Sequence, residues 1–185
     1  LFLMSIEAYS GGNIEAYSYG SCEKAFYADI ATAYPSEQER LWDLTNATLQ
    51  SGKGDPPILE NSYTFIRGTV HIPRDMDYIP ITIKHDIFKD TNVRVNGWYK
   101  ATYMIEERDF MVERGAEFTN EEWTSIITKG EKSILSHFST KNVALRNHFI
   151  GIESSTETRV KKINNSGYGI TYEATPIYEM RDGEP

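Results

Sequence analysis

Between Tyr63 and Ile105 the chain carries three stretches, "YTFIRGTVHI", "YIPITIKH" and "GWYKATYMI", each dense in β-branched and aromatic residues. Such runs, separated by turn-forming residues, read as strands, and three in succession commit the chain to a sheet. Pro80 removes a ladder donor from the second, which is therefore an edge strand or a short one.

From Glu106 the pattern turns helical. "EERDFMVERG" ends at Gly115, a suitable C-terminal stop, and Thr119 with Glu122 forms a capping box that predicts a helix over "EEWTSII". Lys132 to Ile150 carries Ile134, Leu135, Phe138, Ala144, Leu145 and Phe149 on an approximate helical stripe, and "GIESS" turns the chain into a last helix starting near Thr156. Together these make a helical hairpin rich in basic residues. Upstream, "GGNIEAYSYG" (Gly11 to Gly20) reads as a hairpin or strand pair entered through a glycine turn, and Ala25 to Ile30 as a strand. After Pro35, Ser36 caps a predicted helix whose third residue is Glu39 and whose apolar face is Leu41, Leu44 and Leu49. "NATLQSGKGDPP" reads as loop from its Gly, Asp and Pro content.

Composition narrows the function classes. A chain of 185 residues can bury one sizeable core, so one domain or two closely joined lobes is expected. The single Cys22 cannot form an internal disulfide, which favours a reducing, intracellular setting over a secreted one. No apolar run approaches the ~20 residues that span a bilayer. The opening "LFLMSIEAYS" has no initiator Met and no basic leader, which suggests a piece of a longer polypeptide. A net charge of −8 argues against nucleic-acid binding over the whole surface, yet Lys129 to Lys162 is locally basic through Lys129, Lys132, Lys141, Arg146, Arg159, Lys161 and Lys162. There is no P-loop, GxGxxG or GxSxG, and His71, His85, His137 and His148 never fall at metal-ligand spacing with Cys22.

Two stretches carry more specific information. Asp29 to Ser36 is D-x-x-T-A-Y-P-S, and "KKINNSGYG" fits K-x-x-x-N-S-x-Y-G without a gap through Lys161, Asn165, Ser166, Tyr168 and Gly169. In this order they resemble motifs A and B of family B DNA polymerases, whose usual forms are D-x-x-S-L-Y-P-S and K-x-x-x-N-S-x-Y-G. The 131 residues between Asp29 and Lys161 suit a member with an insertion ahead of the fingers. "GGNIEAYSYG" is similar to the G-G-R-x-E segment that precedes motif A in the protein-primed viral and plasmid branch, with Asn13 in place of arginine.

That resemblance implies a set of roles. Nucleotidyl transfer brings a primer oxygen to a phosphate already surrounded by negative oxygens, so two divalent cations, Mg²⁺ in kind, must neutralise charge. Asp29 would supply a carboxylate ligand and Ile30 its backbone carbonyl. Tyr34 would lie under the incoming sugar, where a flat ring leaves no room for a 2′-hydroxyl. Lys161 would hold triphosphate oxygens, Asn165 and Tyr168 would line the pocket of the nascent base pair, and Arg146 would make a second triphosphate contact, ahead of Lys141 and Lys132. The family's third motif, a D-T-D that carries the other catalytic acid, is not found, so the 185-residue chain is expected to be inactive alone.

The expected fold is α+β: an antiparallel palm-type sheet with flanking helices and a two-helix fingers hairpin. Residues 1–130 would be palm with an insertion near 45–120, 131–169 fingers, and 170–185 a return towards the palm. The expected activity, in the full-length protein, is DNA-directed DNA synthesis from dNTPs on a primer–template, and the protein-primed branch adds a terminal protein as a partner. The alternative is a nucleic-acid-binding or scaffold module that kept a palm and lost catalysis. An RNA-copying enzyme is disfavoured by Tyr34.

Overall fold

The computed structural model of the chain describes residues 2–8, 20, 21, 23, 24, 26, 33–84, 92–150, 152 and 155–163. Its elements in chain order are α1 (Phe2–Ala8), α2 (Ala33–Gln38), β1 (Thr48–Lys53), β2 (Ser62–Ile72), β3 (Ile83–Lys84), β4 (Asn92–Val93), β5 (Gly97–Met104), α3 (Ile105–Val112), β6 (Glu117–Ile127) and α4 (Ile134–Phe149). A further helical segment, α5, covers 155–163. The fold is α+β, with a four-stranded antiparallel sheet in the order β1-β6-β2-β5 and a separate two-stranded pair, β3-β4. No helix among the described residues is long and apolar enough to cross a membrane.

The chain divides into two compact units, one of Leu1–Gly20 with Thr45–Lys129 and one of Ser21–Leu44 with Gly130–Pro185. In the first, alternate residues of β2 face the core, so Ile66, Val70 and Ile72 are fully buried against Ala101 and Tyr103 of β5 and Trp123 of β6. Met111 of α3 and Met76, Ile79 and Ile81 from the irregular stretch 73–82 close that core. Each fully buried aliphatic side chain there contributes about 1.5–3 kcal/mol of transfer free energy. The opposite face of the sheet holds α1, whose Glu7 Oε2 accepts hydrogen bonds from Arg67 Nη2 at 2.6 Å, Arg67 Nε at 3.2 Å and Thr102 Oγ1 at 2.7 Å.

Three local expectations are corrected. "EEWTSII" is not helical: it lies in β6, which is paired on both sides, and the ladders to β1 and β2 outweigh a local capping-box preference. "TLQSGK" within the expected loop is edge strand β1, polar and largely exposed. The helix expected after Pro35 begins at Ala33, with Pro35 in its first turn, where the missing N–H has no helical partner to lose. It stops at Gln38, so Leu41, Leu44 and Leu49 form no helical face. The short strand expected in "YIPITIKH" is β3, Ile83–Lys84, and Ile79 and Ile81 ahead of it are core residues.

In the second unit α4 starts at Ser133, whose Oγ accepts from the Ser136 backbone N–H at 3.0 Å. The stripe expected to pack is largely outward: Ile134, Phe138 and Leu145 are exposed, while Ser136 and Ser139 are buried. Leu41–Asp43 runs antiparallel to Glu131–Ser133 through an isolated bridge at Trp42 and Lys132 and the bonds Asp43 N–H to Glu131 O (2.8 Å) and Ser133 N–H to Leu41 O (3.0 Å). Thus the long excursion from Thr45 to Lys129 leaves and re-enters this unit through paired strands.

Candidate functional site

The site builds up from α2. Six residues cannot hold a helix by themselves, since nucleation costs more than so few hydrogen bonds return. Support comes from α4. Pro35 is fully buried, Gln38 is 8% exposed, and the buried Oγ of Ser139 donates to Gln38 Oε1 at 2.8 Å. Ser136 Oγ donates at 2.7 Å to the Glu39 carbonyl, one of the acceptors that the end of α2 leaves open. Lys132 Nζ sits 3.9 Å over the Trp42 ring and donates to the Arg40 carbonyl at 3.3 Å, so this weaker triphosphate candidate is engaged at the paired strands.

Tyr34 lies on α2 one turn before Gln38 and is 51% exposed, so a substrate can reach it. Arg146 lies on α4 with only 11% of its side chain exposed, and its Nη2 meets Glu157 Oε1 of α5 at 3.4 Å. Its Nε is buried without a hydrogen-bond partner among the described residues. Lys161 follows Glu157 by one turn on α5 and is exposed, as is Lys162. Tyr34, Arg146 and Lys161 therefore lie on three successive elements of one unit: α2 packs on α4, and α4 is tied to α5 by the Arg146–Glu157 pair. Asp29, Ile30, Asn165 and Tyr168 lie outside the described residues, as do all but Gly20 of the hairpin expected over Gly11 to Gly20 and most of the strand expected over Ala25 to Ile30.

Gln38, Ser136, Ser139 and Glu157 join the site without having been expected. Polar side chains on helices look solvent-facing in a sequence; the one available signal was Gln38 standing four residues after Tyr34.

Among the described residues no group of three or more His, Cys, Asp or Glu is placed to hold a metal ion. The donors that the sequence points to, a carboxylate at Asp29 and a carbonyl at Ile30, are hard oxygen ligands of the type that Mg²⁺ accepts, one or two carboxylates sufficing.

The first unit has two other polar clusters. A cavity of about 330 Å³ is lined by Met4, Ser51, Lys53, Arg67, Glu122 and Trp123, among others. Its cations are already paired, Lys53 with Glu122 at 2.7 Å and Arg67 with Glu7 at 2.6 Å. The Lys53 ammonium, through its hydrogen bond and charge, holds the Glu122 carboxyl below the usual range. On the core side, Arg108 of α3 donates to both oxygens of the buried Glu121, at 2.7 and 2.9 Å, and Tyr103 Oη donates to the same carboxylate at 3.1 Å. Burial first, and then the adjacent Glu121 charge, push the Tyr103 phenol well above the ordinary tyrosine range. This cluster ties α3 to the sheet.

No family model matches the sequence, and no curated protein matches it at a significant level. Among solved structures, phi29 DNA polymerase in its orthorhombic crystal form is similar, with a TM-score of 0.51 and 14% identity over 76% of this chain. The match takes in 25% of that polymerase, so this chain spans about a quarter of its length. At this identity the likeness is one of fold.

Proposed function

We propose that this chain is the palm and fingers portion of a family B DNA polymerase, working in template-directed transfer of dNTPs to a primer 3′ end. The observation that carries the proposal is the assembly of α2, α4 and α5 in one unit. The first motif reaches into α2 and the second opens on α5, and the sequence between them makes its long excursion and returns. The fold likeness to a DNA polymerase supports the same reading. On it, 1–130 is palm, the sheet-bearing excursion is its insertion, 131–169 is fingers and 170–185 returns towards the palm. The protein-primed branch, and with it a terminal protein, rests on the G-G-N-x-E segment alone.

Asp29 and the Ile30 carbonyl would hold the divalent cations. When bound, these supply charge neutralisation at the triphosphate and alignment of the primer oxygen. The remaining work belongs to side chains. Lys161, exposed at the end of α5, presents a compact charge to triphosphate oxygens. Tyr34 presents a ring edge or face that a 2′-hydroxyl would strike, and Asn165 and Tyr168 line the pocket of the nascent pair. Arg146 already meets Glu157 through Nη2, which ties α4 to α5, and a triphosphate contact would use the remaining donors of its guanidinium.

Lys161→Ala in the complete enzyme tests the assignment. The expected result is a raised KM for dNTPs with unchanged affinity for primer–template, because the charge meets nucleotide and not duplex. Loss of DNA affinity with a salt slope lower by about one, and unchanged dNTP dependence, would instead make Lys161 a backbone-phosphate contact.

A further inference from the structure

We infer that Gln38 and Ser139 are positioning residues for Tyr34, and that their buried hydrogen bond sets how strictly the site discriminates between deoxyribonucleotides and ribonucleotides. The inference rests on the polymerase reading above and adds to it two residues outside both motifs. Three observations carry it. First, Tyr34 stands on a helix of six residues, so the orientation of its ring depends on what α2 packs against. Second, the supporting contacts are polar and directional: Ser139, 1% exposed, donates to Gln38, 8% exposed, at 2.8 Å, and Ser136, 3% exposed, donates to the Glu39 carbonyl at 2.7 Å. Third, α4 had an apolar alternative. It turns Ser136 and Ser139 towards α2 and leaves Ile134, Phe138 and Leu145 outward.

Apolar packing tolerates sliding, whereas a buried hydrogen bond is satisfied in a narrow range of distance and angle. Displacement of α2 along α4 would leave the Gln38 amide buried and unpaired, which is costly. The seam therefore fixes one register of α2, and Gln38 lies one turn from Tyr34 on that helix. A ring that rejects a single hydroxyl has to be held to a fraction of an ångström, because a small displacement opens the space that the hydroxyl needs.

The test uses the complete polymerase that carries this chain. The kcat/KM for one dNTP and for its matching rNTP are measured for wild type, Ser139→Ala, Gln38→Met, the double variant, and Phe138→Ala on the outward face of the same helix. Each seam variant is expected to lower the dNTP-to-rNTP preference by about 3- to 10-fold. The double variant should lose no more than the larger single loss, since both remove one bond. Phe138→Ala should keep the wild-type ratio. General weakening of the fold would lower use of both nucleotides and leave the ratio alone. Should Ser139→Ala not fold, Gln38→Met, close in volume to the native residue, carries the same comparison. An unchanged ratio in a seam variant that still extends primers with dNTPs, or losses that add in the double variant, would overturn the inference alone. A wild-type enzyme that extends no primer would overturn the reading beneath it.

Discussion

Gly68 stands where a side chain would meet two groups at once. A Cβ there would lie 2.7 Å from Tyr103 Oη and 3.1 Å from Glu121 Cγ, beside the register shift between Arg67 and Thr69 of β2. The missing side chain makes room for the buried carboxylate of Glu121 and its donors, Arg108 and Tyr103. Gly68→Ala should therefore cost about 1–3 kcal/mol by overpacking. Arg108→Met should cost more, about 3–5 kcal/mol, because it strands a buried charge. Urea titration of the 185-residue chain would measure both; a loss below about 0.5 kcal/mol for Arg108→Met would show that the pair contributes nothing. Tyr99 gives a different case. Its hydroxyl is buried with no hydrogen-bond partner among the described residues, and burial pushes its pKa up to about 12. The unfolded phenol titrates near 10, so above that pH the unfolded chain releases a proton that the native state retains. The stability associated with this group is whole below about pH 10 and is lost as pH rises towards 12. Tyr99→Phe should leave stability at pH 7 equal or slightly higher, and should reduce the fall between pH 9.5 and roughly 11.5. A steeper alkaline fall in the variant, followed by circular dichroism, would contradict this.

At the scale of elements, what the sequence disclosed followed from how far each signal was local. β2 and β5 declared themselves because β-branched and aromatic density is a property of the strand itself, and α4 because apolar residues recur at helical spacing from Ile134 to Phe149, even though that stripe lies largely outward. The Thr119 and Glu122 pair misled because a capping box is also local, and its preference was overridden by two ladders that only the folded sheet supplies. β1 was illegible for the same reason: a polar edge strand exists through its partner. That partner leaves a mark at Gly52, where a Cβ would come within 2.5 Å of the Trp123 ring. Gly52→Val should push the indole away and loosen β1 from β6, costing about 1–3 kcal/mol and shifting tryptophan emission towards the red. Unchanged emission and stability would mean that β1 is not packed as described. In the candidate site, Tyr34 and Lys161 can be singled out from the sequence because they fall inside gapless motifs, whereas Gln38 and Ser139 are buried polar groups whose partners lie 101 residues away along the chain.

At the scale of the whole molecule, the proposed function makes the α2 region an active site for deoxynucleotide transfer. On the proposed reading Asp29 is one of two acids that place the cations, and the D-T-D that would carry the other is not found in the 185 residues, so this chain by itself should extend no primer in Mg²⁺ and dNTPs. The most direct measurement uses the complete protein and compares incorporation of dNTPs and rNTPs by Asp29→Asn and Tyr34→Ala. Asp29→Asn keeps the shape of the side chain and removes its charge, so incorporation of both nucleotides should nearly vanish in a folded enzyme. Tyr34→Ala removes a wall and no charge, so DNA synthesis should survive in part while preference for the deoxy sugar falls by about 1 to 3 kcal/mol. Full synthesis by Asp29→Asn, or an unchanged dNTP-to-rNTP ratio in a folded Tyr34→Ala enzyme, would contradict the account.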